Sequence, residues 1–301
     1  RGERSMRVIT TIREMIDART EWRSSQQVGF VPTMGYLHEG HLTLVRGACR
    51  ENDTVIASIF VNPAQFGPRE DLNTYPRDLP RDLRLLEEEG VDVVFAPTTE
   101  EMYPTGFVTY IDPTGALAEQ AEGASRPGHF RGVATVVLKL FEIVRPQRAY
   151  FGQKDGQQVA VIARMAQDFN LPVQLRILPT VREADGLAMS SRNAYLLGED
   201  RAAARVLYKA LQAGRAAFEA NPGGRASLAT KALIDMVQAE PRARLDYAEI
   251  RDTRDFLLRE TLVAPALLLI AAHVGPARLI DNFLLREDGT WDTGIIATSQ
   301  D

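Results

Sequence analysis

Cysteine is almost missing from this chain: Cys49 is the single one in 301 residues. No internal disulfide can form, and a reducing compartment, the cytoplasm, is expected. Histidine is scarce as well, with only His38, His41, His129 and His273. A zinc-protease helix needs histidines at i and i+4 with a glutamate beside the first. None of the four has that spacing, and His129 and His273 stand in no ligand-like cluster. Basic charge is not in excess, since 35 Lys and Arg face 40 Asp and Glu for a net charge of −5. That balance offers no global basic surface for nucleic acid. Long apolar runs are also lacking. The stretch 264–274 is too short to span a membrane, and no secretory signal precedes the first apolar strand. Residues 1–5 read as a cloning remnant ahead of a natural start at Met6. No G-x-S-x-G elbow is present to present a serine nucleophile.

What the chain does have is a core and a rhythm. Hydrophobic residues make up 45% and charged residues 25%, which suits a folded protein, and the length suits two domains. Helical spacing is expected over 10–22, 42–52, 79–89, 133–144 and 159–168. Strands are expected at 28–31, 54–60, 91–95, 148–151 and 173–178. The continuous apolar run 54–60 is typical of a parallel strand covered on both faces. Strands alternating with helices indicate βαβ units and a parallel sheet. The stretch 97–131 is less regular. Beyond Pro179 the rhythm changes to alanine-rich helices near 201–220 and 226–239, then β-like runs at 245–250, 266–274 and 277–280. This predicts a smaller α+β unit.

Four loops carry the candidate chemistry, each at a strand end. In 28–41 a short apolar run breaks at Pro32 and Gly35, then presents His38 and His41 with Gly40 between. A strand turning into a helix N-terminus exposes backbone N–H groups and a positive dipole end, which suits an anion. Two histidines three residues apart can reach one phosphate. The loop 61–67 offers Asn62 and Gln65, amides that donate and accept together. The loop 152–158 offers Gly152, Lys154 and Asp155 at a strand-to-helix junction, without the glycine spacing of a Walker loop. The loop 180–193 offers Ser190 and Ser191 before Arg192, a compact set of phosphate donors, with a helix N-cap as the plain alternative for the serines. Donors for phosphate without a covalent nucleophile point to chemistry done by positioning and charge.

The segments PTMGYLHEGH, SIFVNPAQFG, FGQKDGQQ and PTVREADGLAMSSRN, in this order and spacing, resemble the pantoate–β-alanine ligase (pantothenate synthetase) family. The likeness runs from about Met6 to Asn282 and includes HFRGVATVVLKLF and the late RLIDN. The H-x-G-H motif alone is shared by a wide nucleotidyltransferase superfamily; the four segments together are specific. The resemblance implies an α/β fold: a Rossmann-like parallel sheet with helices on both faces over 6–181, and a smaller α+β carboxyl-terminal lid domain over 182–301. It implies a homodimer, while the cysteine content, the charge balance and the short apolar runs give the expectation of a cytoplasmic protein that binds neither nucleic acid nor membrane. It also implies ATP-dependent condensation of (R)-pantoate with β-alanine through a pantoyl adenylate, with Mg2+ assisting and AMP and pyrophosphate released.

Carried over residue by residue, Met34, Gly35, Tyr36, Leu37, His38, Glu39, Gly40 and His41 match the first ATP segment, with His41 in the catalytic position and His38 beside it. Gly152, Gln153, Lys154 and Asp155 match the second, in which Lys154 neutralises the transferring phosphate. Val181 matches an adenine contact. Met189, Ser190, Ser191 and Arg192 match the third ATP segment, Arg192 counting among the catalytic charges. Gln65 and Gln158 match the glutamines that hold pantoate, Gln65 also lying near β-alanine. Asp82 aligns with an acidic position near the metal. One departure stands out: the family reads K-D-Y-Q-Q where this chain has Gly156. Replacing that glycine by tyrosine is expected to stabilise the fold or lower the Michaelis constant for pantoate. Two rival functions remain open on sequence: adenylyl transfer to a phosphorylated acceptor, and a nucleotide sensor without catalysis.

Overall fold

A computed structural model describes residues 5–22, 26–68 and 70–297. Residues 1–4, inside the expected cloning remnant, lie outside them. Two compact units divide the chain. The first takes residues up to Pro113, Arg126–Gly152 and Val161–Leu178; the second takes Thr114–Ser125, Gln153–Ala160 and everything from Pro179 onward.

The first unit is built on six parallel strands: β1 (Arg7–Ile9), β2 (Val28–Thr33), β3 (Thr54–Ile59), β4 (Val93–Phe95), β5 (Arg148–Gly152) and β6 (Gln174–Leu178). Their order across the sheet is β1-β4-β3-β2-β5-β6, with every neighbouring pair parallel. Side chains alternate between faces with period two. On one face Val31, Val55 and Ala57 pack with Leu44, Val45 and Ala48 of the helix Glu39–Glu51 and with Leu86 of the helix Leu79–Glu88. Their neighbours Phe30 and Ile56 point the other way and are equally buried. The helix His129–Val144 lies against β2. Burial on both faces is why β2 and β3 read as unbroken apolar runs.

The chain steps from β2 to β3 to β4 in one direction and from β5 to β6 in the other. The reversal falls between β2 and β5, and ligands of open parallel sheets bind outside the strand carboxyl ends at such a point. Thr33 ends β2 and Gly152 ends β5.

The second unit has an antiparallel sheet of β8 (Ala243–Arg251), β9 (Ala266–Val274), β10 (Ala277–Leu285) and β11 (Trp291–Asp292), and a parallel ribbon of β7 (Val181–Arg182) with β12 (Ile295–Ile296). Its core joins Leu268, Ile270, Ala272 and Phe283 of the sheet to Leu207, Leu211 and Phe218 of the helix Val206–Ala220 and Leu233 of the helix Ala226–Gln238.

Candidate active site

The turn after β2 is wired into the sheet before any ligand is considered. Thr33 donates its hydroxyl to the Ser58 carbonyl at 2.7 Å and accepts the Gly35 N–H at 3.1 Å. Gly35 has φ +82°, a left-handed conformation that glycine adopts freely, and Tyr36 follows at φ +51°. Successive left-handed residues aim two N–H groups inward, and the carboxylate of Asp82 takes both. Its oxygens accept from Tyr36 at 2.7 Å and from Leu37 at 2.8 Å. Asp82 is 1% exposed. Burial pushes its carboxyl up, with the Leu37 and Tyr36 N–H groups offsetting only part of that. The residue matched to a metal position therefore has both oxygens engaged in holding the turn that follows β2.

The helix Glu39–Glu51 then starts with His38 as its N-cap. The Nδ1 of His38 accepts the Gly40 N–H at 3.2 Å, and the Nδ1 of His41 accepts the His38 N–H at 3.3 Å. The His41 N–H goes to the His38 carbonyl at 2.8 Å. This corrects the expectation of an open cradle of backbone donors, because the histidines cap the helix themselves. It also fixes their tautomers. With Nδ1 accepting in both rings, the ring proton of each neutral imidazole sits on Nε2. The two ring centroids are 4.1 Å apart and the ring planes are tilted by 43°. Glu39 is paired with Arg46, which also binds Glu89 at 2.5 Å.

Gln65 ends a short 3-10 turn, Pro63–Gln65, beyond β3. Its Nε2 donates to the sulfur of Met34 at 3.4 Å, so the structure brings Met34 and Gln65 together. Its Oε1 accepts from Asn62 at 3.0 Å. Asn62, a candidate on sequence, is turned inward instead. Its amide also donates to the Gly132 carbonyl at 3.1 Å and accepts from the Tyr103 hydroxyl at 2.7 Å. The Gln65 carbonyl accepts from His129 Nδ1 at 2.9 Å and from Arg126 at 3.3 Å. Arg126 holds Glu70 through two bonds of 2.7 Å. Burial pushes the Glu70 carboxyl up, but the hydrogen bonds and charge of Arg126 outweigh it and hold the group below the usual range. Sequence reasoning missed Arg126 and His129 as supports. The signal was the glycine-flanked RPGHFRG, where Gly132 lies so close to the Ala64 carbonyl that a Cβ would stand 2.1 Å from it.

In the second unit, Gln153–Asp155 forms a 3-10 turn leading directly into the helix Gly156–Asp168. Lys154 stands 3.5 Å from the carboxylate of Asp155. The adjacent glutamines differ in their engagement. Gln157 is buried and saturated, accepting from the Glu122 N–H and donating to the Leu117 and Gln120 carbonyls. Gln158 is half-buried, and its side chain makes no hydrogen bond among the described residues.

The third segment folds as a hairpin. The Val181 carbonyl accepts the Met189 N–H at 2.9 Å, and Asn193 bridges the Ala188 carbonyl and Glu183. Ser190 caps the turn Ser191–Tyr195 by accepting the Arg192 N–H at 3.3 Å, so the N-cap alternative holds for Ser190. Ser191 is buried and Arg192 half-buried.

A model of the pantoate-beta-alanine ligase family matches residues 7–284. The chain belongs to that family. Its members join two substrates through an amide bond. A pantothenate synthetase of Roseiflexus sp. strain RS-1 is 58% identical over 282 residues, 93% of this chain and 99% of its own length. Among solved structures, pantothenate synthetase from Thermus thermophilus superposes with a TM-score of 0.87 at 52% identity, covering 92% of this chain and 98% of that one. A pantoate-beta-alanine ligase from Francisella tularensis, solved with beta-gamma ATP and beta-alanine, gives 0.77 at 37% identity, covering 93% and 98%. The six-stranded parallel sheet and the smaller antiparallel sheet are those of this family's solved members.

Proposed function

We propose that the protein condenses (R)-pantoate with β-alanine in two steps driven by ATP. First, the pantoate carboxylate attacks the α-phosphorus of ATP; a carboxylate–phosphorus bond forms and the bond to pyrophosphate breaks. Then the amine of β-alanine attacks the acyl carbon of the pantoyl adenylate, AMP leaves, and pantothenate forms with loss of a proton from nitrogen. The observation that carries this reading is the family match over residues 7–284, which takes in all four loops.

Each role follows from the chemistry of the group. The Nε2–H donors of His38 and His41 bind phosphoryl oxygens, His41 where negative charge develops. Lys154 and Arg192 neutralise that charge, with Ser190 and Ser191 as further donors and Val181 at adenine. Gln65 and Gln158 hold pantoate through its hydroxyl and carboxylate oxygens. No side chain need act as nucleophile, since the substrate supplies one and the enzyme aligns it. Mg2+ would enter with the nucleotide and shield the leaving pyrophosphate. No group of three His, Cys, Asp or Glu among the described residues is set to hold a metal, and Asp82 is engaged by backbone N–H groups. The ion therefore fits as one held by phosphate oxygens and water. We place the enzyme in the cytoplasm as a homodimer. No helix among the described residues is long and apolar enough to cross a membrane.

The test is exchange of labelled pyrophosphate into ATP. Exchange that requires pantoate is the expected result. Exchange driven by a phosphorylated acceptor instead, or ATP binding without any exchange, would overturn the reading in favour of one of its two rivals.

A further inference from the structure

The late motif Arg278-Leu279-Ile280-Asp281-Asn282 lies in β10 and has no part in the roles above. Its last residue, Asn282, is 3% exposed. Its Nδ2 donates to the carbonyls of Gln153 at 2.9 Å and Lys154 at 2.8 Å, and its Oδ1 accepts from Gln153 Nε2 at 3.1 Å. One amide thus satisfies two carbonyls of the turn that carries Lys154. Asp281 fixes Asn282 in turn, accepting its backbone N–H at 2.8 Å while pairing with both arms of Arg182 at 2.6 and 3.0 Å. Gly156 borders the same arrangement. A Cβ at that position would stand 3.1 Å from Gln153 Nε2 and 3.2 Å from Asn282 Nδ2.

We infer that Asn282 is the positioning residue for Lys154, and that Gly156 leaves the space its amide occupies in this chain. The inference rests on the adenylate-forming role proposed for Lys154. A lysine is a point charge on a flexible stem, so the direction of its ammonium depends on where the backbone launches it. Asparagine is suited to hold that backbone because it offers two N–H donors and an acceptor together. Aspartate would set a carboxylate against two carbonyls.

The experiment measures pantoate-dependent pyrophosphate exchange in the wild type, Asn282→Ala, Lys154→Ala and the double variant. Asn282→Ala is expected to lower kcat by about 10- to 100-fold, as a displacement near 1 Å does, with little change in the KM for pantoate. In the double variant the loss should match that of Lys154→Ala alone, because residues acting through one group are not additive. Losses that multiply, a defect confined to KM, or full activity in Asn282→Ala would overturn the inference. Gly156→Ala carries the test if Asn282→Ala fails to fold. Alanine favours the helix that starts there yet crowds Asn282, so exchange should fall while the melting temperature does not. Unchanged exchange in Gly156→Ala would overturn the inference. Absence of exchange in the wild type would instead strike the proposed function, which keeps the two failures apart.

Discussion

The turn bearing His38 and His41 and the turn bearing Lys154 are proposed to serve one reaction, but they are held by different means. The histidine turn is wired through its own residues and through a carboxylate: Thr33, the two imidazoles and Asp82 take its N–H groups. The lysine turn has its carbonyls taken by a neutral amide from a strand at the far end of the sequence. The first arrangement fixes tautomers as well as positions, because each ring nitrogen facing the backbone must be unprotonated. The second fixes only a direction. An imidazole that donates needs its proton on the correct nitrogen, whereas an ammonium donates from three positions alike and needs only to be aimed.

Removing the working groups should have the largest effect and treat the two turns equally. His41→Ala and Lys154→Ala are each expected to slow adenylate formation by about 100-fold or more, the usual loss for a transition-state donor. Single-turnover measurements with ATP and pantoate read this directly, and near-normal rates in either variant would remove that residue from the mechanism. Removing an anchor should separate the turns. Asp82→Ala leaves two inward N–H groups without their acceptor, and a cost of about 2–3 kcal/mol in folding stability is expected. Activity should fall with it, and added Mg2+ should restore none of the loss. Recovery on titrating Mg2+ would make Asp82 a metal ligand after all. Asp82→Asn keeps one acceptor oxygen and should fall between.

The same contrast explains what was legible in the sequence. Strands β2, β3 and β9 could be read because continuous apolar runs are what two-sided burial demands. The strand β1, Arg7–Ile9, was missed because it buries only Ile9 and leaves Val8 exposed. The irregular stretch 97–131 holds the helices Thr99–Met102, Ala116–Glu119 and Glu122–Ser125, each four residues long and too short to show a helical period. The histidine pair could be read because its spacing, its glycine and the preceding strand are adjacent in sequence. Asp82 stands 45 residues from Leu37, and Asn282 stands 128 from Lys154. A side chain that bonds to a distant backbone carbonyl or N–H leaves no local pattern, so family resemblance marked both residues without giving either its task.

Acidification should have the smallest and most discriminating effect, because it acts on carboxylate anchors and leaves the amide alone. Asp82 has its carboxyl raised by burial, with the Leu37 and Tyr36 N–H groups pulling the other way. It therefore takes up a proton at a higher pH than an ordinary aspartate, and one of its two N–H partners then faces a hydroxyl. By linkage this protonation favours the folded state as the pH falls through the raised value, so it loosens the histidine turn without lowering the melting temperature. Glu70 has the opposite sign. Burial raises its carboxyl, but Arg126 holds it below the ordinary range on balance. Its stabilising share is whole above the ordinary glutamate range and is lost only as the pH falls through the lower folded value. Adenylate formation should accordingly decline at a higher pH than stability does, and Glu70→Gln should flatten the acid limb of the melting curve while leaving that of the activity curve in place. Parallel decline of rate and melting temperature in the wild type would show that the two anchors titrate together and would erase the distinction between them.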